Sequence, residues 1–162
     1  MGFDSVFQYE IPYLHPLVVH FPMVLLFLAA GGAAAYCLKG RALWRKAVLF
    51  FLALGAISAR VAQTTGATLE ESMEGTPIVD ELAAYHGGMA KLTVYSSVLA
   101  LLFVIALTVW LRKKNTRSEE SGVRANEPLW GRIVLLVLVA FSAVVVAYTA
   151  HIGGVMVWGV PK

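Results

Sequence analysis

The stretch Leu14–Pro22 (LHPLVVHFP) sets His15 and His20 among two prolines at the entrance to a hydrophobic run. The chain holds only two further histidines, His86 and His151, each beside a glycine pair: His86-Gly87-Gly88 and His151-Ile152-Gly153-Gly154. A neutral imidazole offers one lone pair and one N–H. It therefore suits axial ligation of b-type haem, binding of a zinc or copper ion, or hydrogen bonding to histidine, backbone or water. Haem b needs no covalent attachment. Cys37 is the single cysteine, which excludes a CxxCH attachment, an internal disulfide and a thiolate cluster. No Ser–His–Asp set, HExxH pair or phosphate loop is present, so no catalytic residue is assigned.

The elements that position these residues follow from composition. Of 162 residues 59% are hydrophobic, with a mean hydropathy of +0.73, where soluble domains hold about half. Four stretches reach the roughly 20 apolar residues a membrane helix needs: Leu17–Leu38, Ala47–Thr65, Ala90–Leu111 and Ile133–Val157. They leave no room for a soluble domain. The expected fold is one all-α domain over residues 1–162, an integral membrane four-helix bundle.

Charge sets the expected orientation. Lys39, Arg41, Arg45 and Lys46 fall in the first loop; Arg112, Lys113, Lys114, Arg117, Arg124 and Arg132 fall in or beside the third. By the positive-inside rule both termini and the second loop lie outside, on the periplasmic side, with Asp4, Glu10, Glu70, Glu71, Glu74, Asp80 and Glu81. The net charge of +3 thus reads as topology and gives no reason to expect nucleic acid. Asp4 and Glu10 stand where a cleavable signal peptide would need basic residues. Helix two is expected to end near Thr64-Thr65-Gly66, and helix three to start in the outer loop at Thr76-Pro77. Pro22 should kink the first helix, and Asn115–Asn126 reads as a polar, mobile linker. Cys37 reads as packing. No internal repeat is discerned, and no acid is embedded in the apolar spans.

All four histidines fall toward the outer side, on three helices. Counted from the basic residues, His20 and His151 lie roughly 28 Å up, and His15 and His86 roughly 36 and 39 Å. The best axial pair on this count is His20 with His151, while His15 and His86 ligate a second haem or contact the first. Five helical residues turn the chain by roughly 140°, so His15 and His20 should not ligate one iron. Arg60, inside the second span, and Lys91, near the outer end of the third, are expected partners for haem propionates. For Lys91, snorkelling to the interface is the equal alternative. No histidine lies in the cytoplasmic half, so the chain alone should not carry electrons across the bilayer.

The stretch His15–Pro22, an HPxxxHFP pattern, resembles the signature of the domain-of-unknown-function 2231 family of bacterial four-helix membrane proteins. His86 and His151-Ile152-Gly153-Gly154 are similar to that family's later motifs, and the resemblance spans essentially the whole chain. After Gly154 the chain reads Val-Met-Val-Trp-Gly-Val, where relatives often place a further histidine. The resemblance implies a bacterial inner-membrane protein in a redox setting, since relatives occur fused to cytochrome c-like or Rieske-type domains. It implies no settled activity.

The expected function is therefore a membrane electron-transfer protein or subunit that binds one or two haem b groups and works at the outer face. Quinol and other membrane or periplasmic redox subunits are its expected partners, with membrane lipid around it. The alternative is a structural or assembly subunit of a larger membrane complex, whose histidines bind a zinc or copper ion or only pack.

Overall fold

The computed structural model describes residues 14–119 and 127–159. Asp4 and Glu10 of the signal-peptide reading, and residues 120–126 of the expected linker, lie outside the described residues. The helices are α1 (His15–Val18), α2 (His20–Lys39), α3 (Ala42–Ser72), α4 (Pro77–Glu119) and α5 (Leu129–Trp158). Taken as one, α1 and α2 form the first of four helices long and apolar enough to cross a membrane; α3, α4 and α5 supply the others.

Local chemistry explains the boundaries. Pro22 has no N–H for the carbonyl of Val18, and helical bonding lapses at Val19 while its backbone stays right-handed (φ −62°, ψ −25°). The expected kink is thus a break between α1 and α2. Gly40 ends α2 in the left-handed region (φ 59°), its N–H returning to the Tyr36 carbonyl. Pro77 opens α4, and the Thr76 carbonyl accepts the N–H groups of Val79 and Asp80. Two expectations are corrected. The α3 helix runs past Thr64-Thr65-Gly66 to Ser72, with the Thr64 and Thr65 hydroxyls satisfied inside it by the carbonyls of Arg60, Val61 and Ala62. At the other end α4 continues to Glu119, so the first part of the expected linker is helical.

The two hairpins, α1–α3 and α4–α5, repeat one burial pattern. Equivalent positions lie 71 residues apart in the first helices and 87 apart in the second. Buried Pro22, Leu26, Ala29, Ala33 and Tyr36 answer to buried Thr93, Ser97, Ala100, Val104 and Leu107. Buried Val48, Leu52, Gly55, Ala56 and Ala59 answer to Leu135, Val139, Ser142, Ala143 and Val146. Exposed positions correspond too: Phe21, Val24, Phe27 and Leu28 match Leu92, Tyr95, Val98 and Leu99. Helix contacts close a ring, α2 on α3 and α5, α4 on α3 and α5. This is the contact order that parallel repeats about a two-fold axis along the bundle would give. The expectation of no internal repeat is corrected: the repeat lies in which positions are buried, with few identical residues.

Small residues let the helices approach closely, the packing that must replace hydrophobic driving force in lipid. A Cβ at Gly55 would stand 3.0 Å from Leu26 Cδ2, and one at Gly32 3.1 Å from Val48 Cγ2. Large apolar side chains such as Phe50, Ile57, Phe141 and Val144 are exposed on the outside of the ring, where hydrocarbon would cover them.

Candidate cofactor site

His15 and His86 are equivalent positions of the two hairpins, and their rings meet. The centroids are 6.5 Å apart with planes at 86°. His15 Nδ1 lies 2.9 Å from the Ala62 carbonyl and 3.3 Å from Thr65 Oγ1. A carbonyl only accepts, so Nδ1 carries the proton and Nε2 keeps its lone pair. One turn along α3, Gly66 gives the ring its seat: a Cβ there would fall 2.9 Å from His15 Cε1. His86 repeats the arrangement on α5. Its buried Nδ1 has no hydrogen-bond partner among the described residues. A Cβ at Gly153 would fall 3.1 Å from His86 Cε1. Ala62 and Thr149 are equivalent positions, as are Gly66 and Gly153. Both imidazoles thus pack on a glycine at the same place of the repeat, and among the described residues His15 alone is also held by a carbonyl.

They line a cavity of about 400 Å³, within the roughly 300–1,000 Å³ of small-molecule sites. Its walls hold both members of such pairs as Pro22/Thr93, Ala59/Val146 and Gly66/Gly153, so it lies along the two-fold axis. Polar groups break this symmetry. Gln63 and Glu70 line the cavity from α3, where their α5 counterparts are Ala150 and Val157. The extension of α3 is what brings Glu70 there, so an acid on a helix does reach the site.

The other expected residues are placed differently. His20 is exposed, its Nδ1 3.2 Å from the Pro16 carbonyl of the preceding turn. His151 is exposed and stacks on Tyr148 at 6.5 Å and 23°. Neither lines the cavity, so of the two expected pairs the structure joins His15 with His86 there. Lys91 lines the cavity. Arg60 faces outward and donates to Gln63 Oε1 at 2.7 Å, one side chain away from it.

At the opposite, basic end lies a buried network that the sequence reading missed. Arg45 clasps the Glu127 carboxylate side-on, Nη2 to Oε1 at 3.0 Å and Nε to Oε2 at 3.2 Å, while Nη1 donates to Thr108 Oγ1 at 2.6 Å. The Tyr36 hydroxyl donates to the same carboxylate. Side-chain exposures of only 8% and 14% make this an interior ion pair. The equivalent arginine on α5, Arg132, donates from Nη1 to the Cys37 carbonyl at 3.0 Å. Thr108 and Cys37 are themselves equivalent, so each arginine reaches across to the other hairpin. Both arginines had read only as topology markers.

A family model described as "Predicted membrane protein (DUF2231)" matches residues 11–160. The chain belongs to this family. For the DUF2231 protein, neither the curated proteins nor the solved structures contain a match. The family description agrees with the four long apolar helices: this is a multi-pass membrane protein.

Proposed function

We propose that this DUF2231 protein is a b-type haem-binding electron-transfer protein or subunit, with His15 and His86 as the axial pair. One observation carries the reading: two symmetry-equivalent imidazoles stand 6.5 Å apart, centroid to centroid, over an axial cavity. Two imidazoles sharing one metal, with metal–nitrogen distances of about 2.0 Å and ring centroids about 1.1 Å beyond, span about 6.2 Å. A porphyrin supplies four of six iron ligands and asks the protein for only two. A bare zinc ion in a structural site asks for four, and among the described residues no group of three His, Cys, Asp or Glu is placed to hold an ion. This weighs for haem over zinc or copper.

Held by His15 and His86, a haem b would supply one-electron transfer and would leave no open iron site for a substrate. Ala62 fixes the His15 tautomer, and Gly66 and Gly153 set the two rings. Lys91, on the cavity wall, is the propionate partner, with Arg60 acting through Gln63. His20 and His151, both exposed, ligate nothing in this reading, so one haem is bound. The histidine end faces the outer side of a bacterial inner membrane, where quinol or periplasmic redox subunits exchange electrons with the site.

The test is an optical spectrum of protein expressed with ample haem. Dithionite should give a low-spin b-type α-band, with haem extractable by acid acetone. His15→Ala and His86→Ala should each abolish the low-spin form. A folded, colourless protein refutes the reading; stoichiometric zinc or copper in it favours the ion site, and no metal favours a structural subunit.

A further inference from the structure

We propose that Arg132 binds a phosphate group at the basic end of the bundle, supplied by the headgroup of an anionic phospholipid. The comparison of the two hairpins carries the argument. Arg45 and Arg132 occupy the same position of the repeat, and each uses Nη1 on the same position of the neighbouring hairpin, Thr108 or Cys37. The remaining fork of Arg45, Nε with Nη2, holds the two oxygens of Glu127. The same fork of Arg132 makes no hydrogen bond among the described residues, although its Nε is buried.

The missing acid has a definite address. Glu127 directly precedes Pro128, the N-cap of α5, and its counterpart before Arg41, the N-cap of α3, is Gly40. A side chain is disfavoured there by the backbone, and would displace the Arg132 tip. Gly40 is left-handed at φ 59°, and a Cβ would stand 2.8 Å from Arg132 Nη1. One repeat therefore carries its own carboxylate and the other leaves a guanidinium fork to be matched from outside. A planar fork with two parallel N–H donors fits a carboxylate or a phosphate. Arg132 is partly buried and its Nε is buried without a partner among the described residues, which is costly, so an anion that pairs with it is stabilising.

The surroundings select phosphate over a free carboxylate. Arg132 lies in the first turns of a membrane helix, beside exposed Trp130 and across from exposed Lys39 and Arg41. This is the level at which lipid phosphates sit, and basic clusters there favour anionic lipids. Lys39 is drawn over the Trp44 ring, 5.3 Å from its centroid, and Arg132 is the basic side chain that reaches inward.

The experiment uses the full chain, delipidated in a neutral detergent and titrated with phosphatidylglycerol, phosphatidylcholine or inorganic phosphate. Native mass spectrometry reads bound lipid and thermal unfolding reads stabilisation. Phosphatidylglycerol should bind and raise the unfolding temperature, with affinity falling about tenfold or more in Arg132→Gln, the loss of a charged hydrogen-bonded pair. Lys39→Gln should weaken binding by less than about twofold, as expected for an exposed charge. Inorganic phosphate competing at millimolar level would support the phosphate site and name a free anion as its source. Equal phosphatidylglycerol binding by Arg132→Gln and the parent overturns the proposal. If Arg132→Gln does not fold, the parent decides: retained phosphatidylglycerol displaced by inorganic phosphate supports the site, and failure to bind either overturns it. Haem content plays no part in these readouts, so they stand or fall separately from the cofactor reading.

Discussion

Gly66→Ala separates the site from the fold. The added Cβ would lie 2.9 Å from His15 Cε1 and 3.2 Å from Nδ1. Ordinary contact needs about 3.4–4 Å, so the ring must retreat by roughly half an ångström to one. That motion breaks the 2.9 Å bond from Nδ1 to the Ala62 carbonyl, a loss of about 0.5–1.5 kcal/mol. Alanine in a helix interior returns about 0.8–1 kcal/mol relative to glycine. The two terms nearly cancel, and thermal unfolding in detergent should shift little. Metal ligation tolerates only about 0.2 Å, so the same variant should lose or strongly alter the low-spin haem spectrum. Gly153→Ala, with its Cβ 3.1 Å from His86 Cε1, should behave alike. Gly31→Ala, where nothing stands within 4 Å, should leave the spectrum intact and stabilise slightly. Unchanged haem content and spectrum in both Gly66→Ala and Gly153→Ala would refute the reasoning.

Other perturbations probe the remaining features. Glu127→Ala strands a buried guanidinium and should destabilise the bundle by about 3–5 kcal/mol, read by denaturant unfolding; an effect below about 1 kcal/mol would mean the pair is solvated. His20→Ala and His151→Ala should each retain the low-spin spectrum, and loss of haem in either would return ligation to the pair of exposed histidines. Lys91→Ala removes a positive charge from the cavity wall, so redox titration should show a lower midpoint potential, with a smaller shift in Arg60→Leu because Gln63 intervenes. Equal potentials in parent and Lys91→Ala would assign Lys91 to the interface alone.

The four long helices were legible because hydrophobic run length and loop charge are one-dimensional properties. Helix ends were less so. Thr64, Thr65 and Gly66 are poor helix formers in isolation, yet α3 carries them against the first helix, where the His15 ring covers Gly66. Counting residues from the basic boundary placed His20 level with His151, but height says nothing about facing, and neither exposed side chain lines the cavity. The repeat was hidden for a related reason. Packing fixes which positions are buried and leaves their identities free, so Leu26 answers to Ser97 and Tyr36 to Leu107. Only His15/His86, Arg45/Arg132, Gly66/Gly153 and a few small or aliphatic residues keep their type. Glu127 escaped notice because an acid in a basic loop reads as solvated until the partner is seen.

In an assembly of two separate identical hairpins, every substitution would occur on both sides of the axis. Joining the halves in one chain removes that obligation. The cavity shows the result: its walls pair position for position, but the first hairpin brings Gln63 and Glu70 where the second brings Lys91, Thr93 and Thr149. A flat guest of two-fold outline would fit either way round by shape, and an acid on one wall facing a lysine on the other leaves it a single orientation. The socket has a head and a tail, a directionality that a symmetric pair of hairpins has no means to encode.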